Sequence, residues 1–264
     1  MSSQPQPLRP PPNAPAAAAG RYLTLWEHLD ELRKRLTVAA ITIVLTTVVA
    51  LVFTNDIIDY VTGPARRADP DFEPIFTELL GFVSAYFKIG LLLGIAGGMP
   101  MLLYQGFAFI NPGLEPHERK WVWPIIVFAS LSFIGGGAFA YYIAWPPALD
   151  FLLNFGDDVA NPQIRINNYI DMLTRFVFWT GIVFEMPLVL MGLGVLGIVT
   201  ARGLVRAWRW AIIGAFVIAA LITPSIDPVT QTAVALPLLA LYIVGIGLVW
   251  LVRGHAFGRA PRSR

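Results

Sequence analysis

Long apolar runs separated by polar segments make up most of the chain after residue 36. An α-helix needs about 20 residues to cross a bilayer core about 30 Å thick, and most of these runs are long enough. Helices satisfy their own backbone hydrogen bonds in lipid, so runs of this length favour helical spans. The pattern predicts six spans, at about 36–53, 82–109, 121–144, 172–199, 210–222 and 231–252.

The last two predicted spans are short for a bilayer core of about 30 Å, which predicts a locally thinned bilayer around them. Two polar segments rich in turn residues are predicted to be loops, "TNDIIDYVTGPARRADPDFEP" and "WPPALDFLLNFGDDVANPQIRINNYID". The start of the chain, residues 1–22, is Pro- and Ala-rich and is predicted to be a disordered tail. Residues 23–252 then form one membrane domain, and residues 253–264 form a basic tail.

The distribution of basic residues predicts the orientation. Six spans place both termini on one side, and all but five of the 19 Lys and Arg residues lie on that side. Cytoplasmic loops carry the excess of Lys and Arg, so both termini are predicted to be cytoplasmic. The five exceptions are Arg66, Arg67, Lys88, Arg165 and Arg175.

The stretch "LTLWEHLDELRKRL", Leu23 to Leu36, precedes the first span. Its leucines recur at helical spacing under a charged face, which predicts an amphipathic surface helix that leads into the span. Glu31 and Arg35 are four residues apart and can form a surface ion pair. Glu118, in "PHERK", is predicted to lie on the same side of the membrane. By pattern alone a solvated charged face is the simpler explanation, while the alternative is a cationic ligand, since carboxylates at this interface suit a guanidinium group.

Composition excludes several classes of protein. The chain is 56% hydrophobic and 14% charged, whereas soluble domains carry roughly 25% charged residues. It has no Cys, so disulfides and thiolate chemistry are excluded. No phosphate-binding loop or catalytic motif is present. The chain is therefore predicted not to be an enzyme and to need no metal, cofactor or nucleic acid.

Glu185 is the outstanding polar residue of the predicted spans, in "GIVFEMPLVLMG". An ionisable group at this depth costs about 2.5 kcal/mol or more and usually faces protein or water. It can be a carboxyl satisfied by a neighbour, a proton-relay acid, or a polar contact for a partner helix. Lys88 is predicted to extend its ammonium group to the interface.

Several segments resemble the TatC family, the six-span core subunit of the twin-arginine protein translocase. They are "EHLDELRKRL", "VTGPA", "LLYQGFAFINPGLEPHERK", "GGGAFAYYIAWP", "VFEMP" and "LITPSIDPVTQTAVALPLL". The resemblance covers nearly everything from Leu23 to Val252. It implies an all-α, concave, glove-like bundle in the bacterial cytoplasmic membrane.

The resemblance also implies a function. Such a subunit recognises twin-arginine signal peptides of folded cargo and assembles TatA- and TatB-type single-span partners, driven by the protonmotive force. It is embedded in membrane lipid and is expected to self-associate. The matching motif positions imply that signal recognition involves Glu31, Arg33, Phe109, Leu114 and Glu118. They also imply that Glu185 and Gln231 contact a partner helix. Functional positions of the outer cap and the third span are Pro64, Tyr141 and Asp227.

Two rival functions remain open on the residues alone. An ion-coupled secondary transporter would use Glu185 as its proton acid. Such transporters commonly contain internal repeats, and none is evident in this chain. The second rival is a structural membrane anchor, for which the cytoplasmic acids would be dispensable.

Overall fold

A computed structural model describes residues 25–68, 80–110, 122–154, 165–195, 197–223 and 228–256. Three predicted site residues, Leu114, Glu118 and Asp227, lie outside these ranges, as do the predicted tail 1–22 and the end of the basic tail from residue 257.

The described residues form ten α-helices and one π-helical turn. Five helical stretches are long and apolar enough to cross a membrane: Trp26–Thr54, Gly81–Phe109, Val122–Leu153, Ile166–Val195 and Thr230–Val252. Trp208–Ile222 is a shorter apolar helix. The helices are α1 (Leu25–Val61), α2 (Gly63–Ala68), α3 (Gly81–Ile110), α4 (Val122–Phe139), α5 (Trp145–Asn154), α6 (Ile166–Phe184), α7 (Met186–Val195), α8 (Ala201–Arg206), α9 (Trp208–Ile222) and α10 (Pro228–Ala256).

The charged N-terminal segment is not a separate surface helix. It forms the first turns of α1, which continues without a break to Val61 over 37 residues. At 1.5 Å per residue such a helix is about 55 Å long, so it exceeds the bilayer core by several turns. The predicted amphipathic helix does lead into the first span, but the two form one helix, because no Gly or Pro interrupts the segment.

The third span also continues beyond its predicted end. After α4 comes a π-helical turn, Ala140–Ala144, followed by α5, so part of the predicted polar loop is helical. Trp145 donates its backbone N–H to Ala140, five residues back. Pro146 and Pro147 have no N–H to donate, and the wider turn lets the helix pass them.

The prediction that both last spans are short was wrong for the sixth. Helix α9 has only 15 residues, whereas α10 has 29. Helix α10 starts with Pro228, where a missing N–H costs nothing, and continues through Pro237 to Ala256. It therefore also includes the beginning of the predicted basic tail.

Helices α1 and α3 pack closely through three glycines spaced four residues apart. A Cβ atom added to Gly94 would lie 2.7 Å from the backbone of Thr47, and one added to Gly90 would lie 2.4 Å from the Leu51 side chain. Gly98 faces Thr46 in the same way at 3.2 Å. Small residues at such spacing allow helix backbones to approach, which drives packing where apolar burial is weak.

The bundle has two ends, defined here by α1. The "α1-start end" holds the beginning of α1 and the end of α3, which Arg35 and Gln105 join. The "α1-finish end" holds Val61 and the main buried cluster. That cluster includes Ala65, Trp145, Tyr169, Ile170 and Phe176.

Candidate functional site

At the α1-start end, Arg35 joins α1 to α3. Its Nη2 donates to Glu31 Oε1 at 3.3 Å, and its Nη1 donates to Gln105 Oε1, also at 3.3 Å. Gln105 is only 5% exposed, and its Nε2 donates to Met101 Sδ at 3.7 Å. The predicted pair of Glu31 and Arg35 is confirmed. Because a buried amide on α3 anchors Arg35, the carboxylate of Glu31 is held in one place.

Phe109 lies beside this pair. Its ring stacks on His28 with centroids 4.3 Å apart and an interplanar angle of 27°. Phe109 lies four residues after Gln105 on α3, and His28 lies three residues before Glu31 on α1, so both fall on the same seam. We define the "acid seam" as His28, Glu31, Arg35, Gln105 and Phe109. His28 and Gln105 could not be assigned to it from the sequence, because neither residue stands out in a charge or spacing pattern.

Arg33 does not join the acid seam. It is exposed and lies two residues from Glu31, on the other side of α1. There it lines a shallow groove of about 410 Å³ with Leu29, Leu32, Leu36, Thr37 and Ala40. The structure therefore separates two of the residues predicted for one site.

Glu185 lies at the junction of α6 and α7. Its backbone N–H bonds to Ile182 O at 3.0 Å, which tightens the last turn of α6, and Pro187 then stands in the first turn of α7. The side chain is half-buried, and its Oε1 is buried without a hydrogen-bond partner among the described residues. Such an atom needs a donor that the described part of the chain does not supply.

The helices around Glu185 approach closely. A Cβ atom on Gly136 of α4 would lie 2.7 Å from Phe184 Cγ. One on Gly181 of α6 would lie 2.9 Å from the Phe133 ring. The two glycines therefore allow the α4 and α6 backbones to meet beside the carboxyl group.

Gln231 is remote from Glu185. Its Nε2 donates to Phe216 O at 3.0 Å, which ties α10 to α9. Pro187, two residues from Glu185, packs against Gly245 of α10 instead. Gln231 and Gly245 are 14 residues apart, which is about 21 Å along a helix. The structure thus places these two predicted partner contacts at different depths.

Pro64 and Tyr141 both lie at the α1-finish end, around the carbonyl of Tyr60. The carbonyl of Tyr60 would accept from residue 64 in a continuing helix, but Pro64 has no N–H. Tyr141 Oη donates to that carbonyl at 2.5 Å instead. Beside it, Tyr169 Oη donates to Val61 O at 2.8 Å. The last carbonyls of α1 are therefore satisfied by tyrosines from other helices.

Trp145 completes this cap and was missed by the sequence reasoning. Its Nε1 donates to Tyr169 Oη at 3.2 Å. Trp145 and Tyr169 are 1% and 2% exposed. Both fall in segments predicted as loop, where an aromatic residue gives little sign of burial.

Lys88 was predicted to extend its ammonium group to the interface, but in the structure this group is paired with a carboxylate. Its Nζ lies 2.5 Å from Asp171 Oδ1, so the two form an ion pair between α3 and α6. The pairing could not be predicted, because Asp171 was placed in a loop rather than in the first turns of a span.

Comparisons with known proteins agree with one another. The family model described as "Sec-independent protein translocase protein (TatC)" matches residues 27–237. A Synechocystis protein, "Sec-independent protein translocase protein TatC", is 35% identical over 230 residues, covering 87% of this chain and 89% of that one. A Koribacter versatilis protein with the same description is 35% identical over 244 residues, covering 91% and 89%. The chloroplastic protein of Arabidopsis thaliana is 36% identical and covers 88% of this chain and 67% of its own length.

A solved structure, "Crystal Structure of Twin Arginine Translocase Receptor- TatC", covers 86% of this chain and 100% of its own. It superposes with a TM-score of 0.74 at 35% identity. With the apolar helices described above, these matches settle the class of protein. The chain belongs to the TatC family and is a multi-pass membrane subunit of a Sec-independent, twin-arginine protein translocase.

Proposed function

We propose that this subunit is the receptor for twin-arginine signal peptides of folded cargo and the scaffold for TatA- and TatB-type partners. It crosses the bacterial cytoplasmic membrane six times, with both termini cytoplasmic and the helices in a concave, glove-like bundle. It moves cargo with the protonmotive force and carries out no catalysis of its own.

The carboxylate of Glu31 carries this proposal. It already accepts a hydrogen bond from a guanidinium, that of Arg35, at 3.3 Å. The side chains of Glu31 and Arg35 are 23% and 34% exposed, so a ligand can reach the pair. An arginine of the signal peptide would make the same type of contact, and Glu118 would receive the second arginine.

Partly buried pairs of this kind are stronger than fully exposed ones. The apolar part of the signal peptide would contact Phe109 and Leu114. Arg33, on the other side of α1, would contribute through the groove that it lines rather than through the acid seam.

The partner-helix role is proposed for Glu185 and Gln231. The unpartnered Oε1 of Glu185 supports it, because a polar side chain of a partner helix would supply the missing donor. Gln231 would act nearer the α1-finish end. Pro64, Tyr141 and Asp227 would maintain the outer cap, and the bond from Tyr141 to Tyr60 supports that role. The alternative of an ion-coupled transporter is not favoured by the family matches.

The experiment is photocrosslinking of a twin-arginine signal peptide to the full-length protein in membranes. Glu31→Ala and Glu118→Ala are each expected to weaken binding about tenfold to 100-fold, since hydrogen bonds to charged groups are worth about 1.5–3 kcal/mol. Glu118→Asp is expected to do less harm than Glu118→Ala.

Asp30→Ala is the matched control, because Asp30 is the exposed acid next to Glu31 and its loss changes the net charge equally. We expect this variant to bind like the wild type. Unchanged crosslinking to the Glu31→Ala, Glu118→Ala double variant would overturn the proposal.

A further inference from the structure

The corner between α7 and α9, at the α1-start end, carries a basic surface that the signal-receptor role does not use. Arg202, Arg206 and Arg209 surround a depression of about 620 Å³ together with Val205 and Trp208. All five side chains are exposed. Small-molecule sites commonly have volumes of about 300–1,000 Å³, so the depression can hold a lipid headgroup. We call these five residues the "arginine corner".

The positive charge of the arginine corner is not neutralised by the described part of the chain. No described carboxylate lies within salt-bridge distance of its three guanidinium groups, whereas Glu31, Asp59 and Asp171 each pair with a base elsewhere. Arg209 lies over the Trp208 ring, with Cζ 5.7 Å from the ring centroid. Such stacking orients a guanidinium while leaving its N–H donors free for a ligand.

A left-handed turn, a helix cap and one side-chain hydrogen bond stabilise the backbone of the arginine corner. Gly197, with φ 78°, ends α7 in a left-handed turn in which Ile198 N bonds to Leu193 O at 3.0 Å. Thr200 Oγ1 then caps α8 by accepting from Gly203 N at 3.0 Å. Finally, Tyr242 Oη of α10 donates to Leu204 O at 2.8 Å. The guanidinium groups are therefore presented on a backbone that is capped at the start of α8 and tied to α10 through Leu204.

The length of α9 brings the membrane surface to this corner. Fifteen residues span about 22 Å, which is about 8 Å less than the bilayer core. A short helix thins the bilayer around it, which moves headgroups towards its ends. Trp208 and Trp210 are exposed at the start of α9, where indole rings favour the headgroup level.

We propose that the arginine corner binds the headgroup of an anionic phospholipid, with the phosphate held by Arg206 and Arg209. The charge is complementary, and planar guanidinium groups bind phosphate oxygens in pairs. The acyl chains would lie along the exposed apolar side chains of α9, such as Ile213 and Val217. The inference is independent of the signal-receptor role, because it uses none of the residues of the acid seam.

Native mass spectrometry of the full-length protein in a non-ionic detergent tests the proposal. The protein is titrated with phosphatidylglycerol, with zwitterionic phosphatidylcholine as the reference lipid. An arginine near the membrane surface is worth about 1 kcal/mol, so each Arg→Gln change should weaken phosphatidylglycerol binding about fivefold. The double variant Arg206→Gln, Arg209→Gln should weaken it about 30-fold, and the double Lys variant should weaken it less, because Lys keeps the charge but not the paired donors.

Arg66→Gln, Arg67→Gln is the control, because it removes the same two charges from a short helix at the α1-finish end, where Asp59 pairs with Arg66. It should bind phosphatidylglycerol like the wild type. If the double Gln variant does not fold, the single variant Arg209→Gln and its expected fivefold loss decide the question.

The proposal fails if the Gln variants bind phosphatidylglycerol as tightly as the wild type, or if the control loses as much as they do. It also fails if millimolar inorganic phosphate displaces the lipid, because the corner would then be a site for small anions. Equal binding of phosphatidylcholine and phosphatidylglycerol would be a third contradiction.

Discussion

The tyrosine cap at the end of α1 can be tested by removing one oxygen atom. Tyr169→Phe deletes a hydroxyl that donates to Val61 O at 2.8 Å and accepts from Trp145 Nε1 at 3.2 Å. The ring and its packing remain. The change leaves a carbonyl and an indole N–H without this partner at a place where water does not reach, since Trp145 and Tyr169 are 1% and 2% exposed.

The expected loss follows from those two groups. A buried polar group without a partner costs about 1–3 kcal/mol, although hydrogen bonds measured inside one membrane protein average only about 0.6 kcal/mol. The Val61 carbonyl and the Trp145 indole N–H, at slightly more than 1 kcal/mol each, should together lower the free energy of unfolding by about 2–3 kcal/mol. Equilibrium unfolding in mixed detergent micelles measures the free energy of unfolding directly.

Tyr142→Phe is the matched control for this measurement. Tyr142 is exposed, and its hydroxyl contacts the hydroxyl of Tyr60 at the surface of the same cap. Its loss should cost less than about 0.5 kcal/mol, as surface substitutions usually do. A Tyr169→Phe variant no less stable than Tyr142→Phe would refute the reasoning.

Two further predictions concern helix packing and the partner contact. Gly94→Ala should destabilise the protein by about 1–3 kcal/mol in the same unfolding assay, because its Cβ atom would lie 2.7 Å from the backbone of Thr47. Gly97→Ala is the control and should be neutral or slightly stabilising, since nothing lies within 4 Å of its added Cβ; equal losses would contradict the packing. Glu185→Ala should abolish crosslinking to a TatA-type helix and leave twin-arginine peptide binding unchanged; loss of peptide binding with the partner contact intact would count against the assignment.

Features that lie within a single helix could be predicted from the sequence. Hydrophobic run length locates the spans, and the spacing of Glu31 and Arg35 gives their ion pair, because both properties are local. One error arises at prolines. The segment that begins with Trp145, Pro146 and Pro147 was predicted as a loop, but it is helical after a π-helical turn in which Trp145 N–H bonds to Ala140 O.

Contacts between helices could not be predicted, because they depend on how the helices are aligned. Gln105 reaches Arg35 only because three glycines let α3 approach α1 closely along their length. Asp171 meets Lys88, and Tyr169 reaches Val61, for the same kind of reason. One sequence contains no information on which residues face each other across such an interface unless charge or spacing marks them.

Export of a folded reporter tests the central claim most directly. Cells that lack their own TatC-type subunit would receive this chain with TatA- and TatB-type partners from the same source. The reporter would carry either a twin-arginine signal or the same signal with both arginines changed to lysine. We predict export with the twin-arginine signal, little export with the twin-lysine signal, and loss of export in the Glu31→Ala, Glu118→Ala variant. Equal export with the two signals, or full export by the double variant, would contradict the account.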